Sequence, residues 1–304
     1  MNYQILKVAN LSKIYKNKIQ ALSDITFFVS KGEIFGLIGP DGAGKTTLIR
    51  CLCGALRANN GTIEIFGKNL YQEHKNIIKD IGYLSQRFSL YGDLTVEENI
   101  DFFASIREID DYESRKKELL KKMSLTNFTN RLAKDLSDGM KQKLALICSL
   151  IYNPKIISLD EPTSGVDPIS RREFWNILSD LKKEGITILI ATAYLDEAER
   201  CDSILAMNEG KTVMQGKLID ILKSQEFYTI VVYADKIRVA KNAVSNIFSS
   251  NIFGDKLKII SYNTNGDILI IEEKLKKLDL TFKIEIENPD LESVFLNSIK
   301  KKNA

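Results

Sequence analysis

A chain of 304 residues, 44% hydrophobic and 27% charged, has the make-up of an ordinary globular protein with room for one large domain and a small one, which excludes a disordered chain. Its 43 basic and 40 acidic residues leave a formal charge of +3, too small to argue for nucleic acid, and the basic ending SIKKKNA reads as a solubility feature. No apolar run approaches the roughly 18 to 20 residues of a membrane span, and MNYQILKVANLSK lacks the apolar core of a signal peptide, so a cytoplasmic chain is expected.

In chain order, residues 3 to 67 alternate short apolar runs with turn residues. ITFFVSKGEIFGLIG reads as strand, KTTLIRCLCGAL has helical spacing, and GTIEIFG reads as part of a hairpin. Residues 88 to about 152 change character: TVEENIDFFASI, SRKKELLKKMSL and DGMKQKLALICSLI carry apolar positions three and four apart, which predicts a helical insert. KIISLDEP and ITILIAT restore the strand pattern, each before a helical stretch, SRREFWNILSDLKKE and LDEAERC. That is the alternation of βαβ units around a parallel sheet. After Gly216, the segments FYTIVVY, KLKIISY, DILIIEE and TFKIEIE read as strands, and DKIRVAKNAVSNIF, EEKLKKL and LESVFLNSIK as helices. Their order predicts a small α+β domain of split-βαβ type from about residue 225 to the end. Cys51, Cys53, Cys148 and Cys201 have no metal-ligand spacing, and the sole histidine, His74, lies in a polar segment far from them, so buried or incidental thiols in a reducing compartment are expected.

Gly39-Pro40-Asp41-Gly42-Ala43-Gly44-Lys45-Thr46 satisfies G-x-x-x-x-G-K-[ST] and stands directly after the strand EIFGLI, opening a helix. At average residue frequencies, accident supplies its four fixed positions in about one chain of this size in a hundred. Glycines allow the tight loop whose backbone N–H groups wrap phosphates, and the helix N-terminus adds partial positive charge. Lys45 would neutralise the β- and γ-phosphates of a nucleotide, and Thr46 would offer its hydroxyl to Mg²⁺. In Lys155-Ile-Ile-Ser-Leu-Asp160-Glu161-Pro162 an apolar strand ends in two carboxylates. Neighbouring strand residues face opposite ways, so the pair serves one site only at the strand's end, where Pro162 breaks the ladder. Asp160 would then hold the metal's water shell, and Glu161 would polarise the attacking water.

Between these elements lies Leu136-Ser137-Asp138-Gly139-Met140-Lys141-Gln142-Lys143, which resembles the LSGGQ signature of ATP-binding cassette ATPases. The other motifs of that family follow in order: Tyr15 ahead of the first strands, the glycine-rich loop, Gln86 in IGYLSQ, the signature, the Asp-Glu strand and SGVD at 164 to 167. The resemblance implies an α/β fold of the P-loop NTPase class, with a RecA-like core, an antiparallel β subdomain and a helical subdomain of about 88–152. It places the ATP-binding domain at 1–222 and an accessory α+β domain at 225–304. It further implies ATP and Mg²⁺ as ligands and a head-to-tail dimer in which ATP lies between the loop of one cassette and the signature of the other. Tyr15 would stack on adenine. Nucleotide contacts would come from Gly39, Pro40, Asp41, Gly42, Ala43, Gly44, Lys45, Thr46 and Thr47, and from Ser137 and Gly139 across the dimer. Thr46, Gln86 and Asp160 would hold the metal, while Glu161, Gln86 and Lys45 would carry catalysis.

Asp138 departs from the family's glycine, and is expected either to point outward while capping the following helix or to weaken the phosphate contact by repulsion. Asp167 would lie at the cassette interface, and Arg171 and Arg172 read as surface charges. SQRFSLYGDLTVEENIDFFA and PDLESVFLNSIKK are similar to segments of ABC-2 type exporter cassettes. This similarity implies a peripheral subunit on the cytoplasmic face of the membrane, an integral membrane permease as partner, and no nucleic acid. The family normally reads STHYMDEAE where this chain has ATAYLDEAE, so Ala193 replaces a histidine that reaches the γ-phosphate. The replacement implies slow hydrolysis and favours pairing with a different, intact cassette over a homodimer. A regulatory cassette with little hydrolysis and a soluble, non-transport cassette ATPase are the alternatives.

Overall fold

Two strands of eleven residues, β1 (Gln4–Ile14) and β2 (Gln20–Ser30), open the chain, and along β2 Leu22, Ile25, Phe27 and Val29 are buried while their neighbours face outward. β3 (Ile34–Ile38) follows, buried at every position, then α1 (Lys45–Leu52), β4 (Asn60–Ile65) and β5 (Lys68–Asn69). β2, β1, β4 and β5 pair in that order as an antiparallel sheet. The computed structural model describes residues 3–16, 18–86 and 90–303. The chain divides into two compact units between Gln215 and Gly216, a little before the boundary expected at 222.

The first unit continues with α2 (His74–Ile78), β6 (Ile81–Leu84), α3 (Val96–Ile106), α4 (Glu113–Lys122) and α5 (Asp138–Leu150). β7 (Ile156–Asp160), α6 (Pro168–Lys183), β8 (Thr187–Thr192), α7 (Leu195–Ala198), β9 (Ser203–Asn208) and most of β10 (Lys211–Lys217), whose last residues lie past the division, complete it. The central sheet runs β10-β9-β3-β8-β7-β6, with parallel pairing from β9 through β6. β3, β7 and β8 are buried throughout, as strands covered on both faces must be, which is why they read as unbroken apolar runs. Leu48, Ile49 and Leu52 of α1 join Leu37, Ile63, Ile65 and Ile156 in one core, so the helix that carries the glycine-rich loop is anchored to both sheets.

α3 starts at a capping box, with Thr95 Oγ1 accepting from Glu98 N at 3.2 Å and Glu98 Oε2 from Thr95 N at 2.7 Å. Lys116 of α4 is 4% exposed and pairs with Glu97 at 3.1 Å, Asp101 at 2.8 Å and Glu113 at 2.7 Å, which ties α4 to α3. Among the described residues no helix is long and apolar enough to cross a membrane.

The second unit comprises α8 (Leu218–Lys223), β11 (Tyr228–Ala234), α9 (Ile237–Val244), β12 (Ser250–Phe253), β13 (Lys256–Ser261), α10 (Thr264–Lys276), β14 (Phe282–Glu287) and α11 (Leu291–Asn303). Its antiparallel sheet runs β12-β13-β11-β14, the split-βαβ order. The expected element order holds, but one strand was misplaced. DILIIEE, read as strand, belongs to α10, where Ile271 and Leu275 lie four apart on the face that joins the core of this unit. The missing strand is β12, with the sequence SNIF. The same tetrapeptide at 245–248 forms a turn after α9. Its second copy becomes strand because Gly254 at φ 59° and Asp255 close a two-residue hairpin with Phe253 opposite Lys256.

Candidate nucleotide site

β3 ends at Ile38, and the loop Gly39–Gly44 turns the chain into α1, whose first residues are Lys45 and Thr46. Two glycines are needed for close approach. A Cβ on Gly39 would lie 2.3 Å from Met207 O, and one on Gly44, at φ 101°, 2.5 Å from Ala21 O. α1 has no side-chain cap, so its first N–H groups are left for another acceptor.

Lys45 is 4% exposed, and its Nζ donates to Gly39 O at 2.7 Å and Pro40 O at 3.1 Å and lies 3.3 Å from Glu161 Oε1. Gln86 Nε2 donates to the other oxygen, Glu161 Oε2, at 2.9 Å. Glu161 has φ 49°, a left-handed conformation uncommon for a residue with a side chain. This reversal, just past the last residue of β7, is what lets two successive carboxylates face one site. Thr46 Oγ1 donates to Asp160 Oδ1 at 3.0 Å, and Asp160 is fully buried with its second oxygen, Oδ2, lacking any hydrogen-bond partner. Burial pushes the Asp160 carboxyl above its usual range, the Thr46 hydrogen bond opposes this, and the neighbouring Glu161 charge adds to it. A buried carboxylate oxygen without a donor beside a threonine hydroxyl suits a divalent cation, so the donor set fits Mg²⁺.

A cavity of about 450 Å³ is lined by Asp41, Gly42, Ala43, Gly44, Lys45, Thr46 and Thr47 together with Gln86 and Glu161. Glu209, in the turn after β9, and Gln20, at the start of β2, also line it and carried no sequence signal, since the fold rather than a motif brings them there. Tyr15 is half-buried, its hydroxyl 3.2 Å from Thr47 Oγ1. Ser137 and Gly139 are not brought into this group. They open α5, and a Cβ on Gly139 would lie 2.6 Å from Ser170 Cβ of α6.

Two expectations need correction. The cap of α5 is Ser137, whose Oγ accepts from Met140 N at 3.3 Å. Asp138 sits one position later, faces outward, and pairs with Lys141 at 3.7 Å. Arg171 is no bare surface charge: it is 25% exposed, 3.7 Å from Asp196 and 3.6 Å from Glu197, with its guanidinium 4.5 Å from the Tyr194 ring. Arg172 is exposed. Asp167, also exposed, has a local task as well, since its Oδ1 caps α6 by accepting from Ile169 N and Ser170 N at 3.0 Å.

Ala193 follows β8 directly and is exposed. His74 Nε2 lies 3.3 Å from Gly54 O, beyond the far end of α1, and does not line the cavity. Burial pushes the Cys51 thiol up to about 11 and raises Cys148 and Cys201 as well, which keeps these thiols protonated and unreactive. Arg87, Phe88 and Ser89, in the segment similar to ABC-2 type exporter cassettes, lie outside the described residues, as does Ala304 of the basic tail.

The sequence pattern of the family described as "ABC transporter" matches residues 22–164. The chain is 44% identical over 221 residues to the "Probable multidrug ABC transporter ATP-binding protein YbhF" of Escherichia coli, covering 71% of this chain but only 38% of that longer protein. It is 37% identical over 242 residues to the "Uncharacterized ABC transporter ATP-binding protein MJ1023" of Methanocaldococcus jannaschii, covering 79% of this chain and 86% of that one. Among solved structures, the dimeric bacterial ABC transporter cassette MJ0796 superposes with a TM-score of 0.64 at 27% identity, over 70% of this chain and 98% of that one. With the glycine-rich loop, the Asp-Glu strand end and the signature helix all in place, the chain belongs to the ATP-binding proteins of the ABC transporter family.

Proposed function

We propose that the chain binds ATP at the loop between β3 and α1, hydrolyses it slowly, and is the nucleotide-binding subunit of an ABC-2 type exporter. Its pore would be separate membrane subunits, and its partner a second cassette that keeps the histidine missing here. The observation that carries the reading is the convergence of Lys45, Thr46, Gln86 and Glu161 on one cavity beside a helix N-terminus, with Asp160 buried behind Thr46 and bonded to it. Export is supported by the likeness to YbhF, named a probable multidrug transporter protein, and a dimer by the likeness to a cassette solved as one.

In this reading the uncapped N–H groups of α1 and the loop take the phosphate charge, and Lys45 neutralises the β- and γ-phosphates. Tyr15 stacks on the adenine. Gln86 orients the attacking water, and Glu161 accepts its proton as the phosphoryl group transfers to the water oxygen. Thr46, Gln86 and Asp160 would hold Mg²⁺, which when bound neutralises phosphate charge. Ser137 and Gly139 serve the γ-phosphate on the facing cassette. Ala193 has only a methyl group to offer that phosphate, so the site lacks one hydrogen bond to the developing charge. Residues 225–304 form the accessory domain, and the chain sits peripherally on the cytoplasmic face of the membrane.

Affinity isolation of the full chain from detergent-solubilised membranes of its own cells tests the assembly. The expected companions are an integral membrane protein and a second ABC cassette. Recovery with ribosomes and no membrane protein would contradict export, and a self-paired chain with rapid ATP turnover would contradict the asymmetric pair.

A further inference from the structure

Behind the two loops that shape the proposed reaction site lies a carboxylate shielded from solvent. Glu197 of α7 is 1% exposed. Its Oε1 accepts from Thr163 Oγ1 at 2.5 Å, and its Oε2 from Thr192 Oγ1 at 2.7 Å. Both threonines are 1% exposed. Arg171 supplies the counter-charge, its Nε 3.6 Å from Oε1, while its guanidinium also packs over the Tyr194 ring. The Tyr194 N–H donates to Thr192 Oγ1 at 3.0 Å, so the backbone on both sides of Ala193 is tied to the same group.

These partners come from three places that matter. Thr163 follows Glu161 and Pro162, Thr192 immediately precedes Ala193, and Arg171 lies on α6 behind its cap Asp167. A buried charge is tolerated only where donors or a counter-charge meet it, and each partner here, the two threonine donors and the Arg171 counter-charge, fixes a different segment. We infer that Glu197 is a positioning residue, a clamp that holds the Thr192–Tyr194 segment against the Glu161–Thr163 turn and α6. It thereby sets where position 193 stands relative to Glu161. The catalytic consequence rests on the proposed ATP hydrolysis, whereas the clamp itself does not. One corollary is that any gain from Ala193→His requires the clamp, because a side chain reaches a phosphate only from a backbone held in place.

The test compares Thr163→Val, which keeps the shape and removes the hydroxyl, with Thr163→Ser, which keeps the hydroxyl and loses a methyl. In steady-state hydrolysis of Mg-ATP by the full chain, Thr163→Val lowers kcat about tenfold with KM within about twofold, whereas Thr163→Ser keeps kcat within about twofold. Thr163→Val also abolishes the gain from Ala193→His. A valine variant as active as the serine variant, or a serine variant as slow as the valine one, overturns the positioning role. Hydrogen exchange on the same full-length proteins reads the clamp without turnover. Thr163→Val accelerates exchange in peptides spanning both 161–167 and 189–198, and Thr163→Ser in neither. An unchanged 189–198 peptide in Thr163→Val overturns the clamp. A wild-type chain that hydrolyses no ATP defeats the hydrolysis reading, and the exchange result still decides the inference.

Discussion

Asp160 and Glu161 adjoin in sequence, yet their environments differ. Asp160 is fully buried with one oxygen unpartnered, while Glu161 is held at its two oxygens by Lys45 and Gln86. Burial first, and Glu161's charge with it, raise the Asp160 pKa in the folded chain, so across the window above the ordinary carboxylate value the native state binds more proton than the unfolded one. Stability of the nucleotide-free chain therefore falls as pH rises through that window. Asp160→Asn, which keeps an acceptor for Thr46, is expected to raise the melting temperature near pH 7, with the difference shrinking toward acid pH. The same variant should lose the extra stabilisation that Mg²⁺ adds to ATP. Thermal unfolding across pH, with and without Mg-ATP, measures both; a lower melting temperature at neutral pH would show that the buried charge is already compensated.

At the scale of elements, Asn99 of α3 fixes the loop that leads into the helical region. It is fully buried, and its Nδ2 donates to Tyr91 O at 3.0 Å, Leu94 O at 3.2 Å and Thr95 O at 2.8 Å, while its Oδ1 accepts from Tyr91 N at 2.9 Å. Asn99→Ala leaves several of these backbone groups without partners, at a cost of about 2–4 kcal/mol in denaturant unfolding; a loss below about 0.5 kcal/mol would mean that water replaces the amide fully. Helix α10 gives a sharper contrast. Leu269 is 69% exposed and Ile271 fully buried. In a strand, residues two apart share a face, whereas on a helix they diverge. Ile271→Ala is expected to destabilise the second unit by about 2–4 kcal/mol, and Leu269→Ala to stay within about 0.5 kcal/mol. Equal effects would fit the strand that DILIIEE suggests in isolation.

Across the whole molecule, legibility followed locality. The glycine-rich loop, the signature helix and the Asp-Glu strand end are contiguous segments whose residue types are set by turns, caps and charge, so their positions on the fold could be read directly. DILIIEE misled because a β-branched run satisfies two periods, and packing against β11 and β14 decided between them. The meeting of Thr163, Thr192, Glu197 and Arg171 was invisible for another reason. They meet because β7 pairs with β8 and α6 returns between them, so no spacing in the sequence marks them. The same locality made Ala193 conspicuous, as one methyl group inside a familiar run of residues.

Under the proposed function, the nucleotide site binds ATP and cleaves it slowly for want of one hydrogen bond. Single-turnover hydrolysis, with the purified chain in excess over Mg-ATP, tests it most directly in wild type, Ala193→His and Lys45→Ala. ATP capture is expected in wild type and Ala193→His alike and not in Lys45→Ala, with cleavage about tenfold or more faster in Ala193→His than in wild type. Equal cleavage rates in wild type and Ala193→His, or ATP capture that survives Lys45→Ala undiminished, would contradict it.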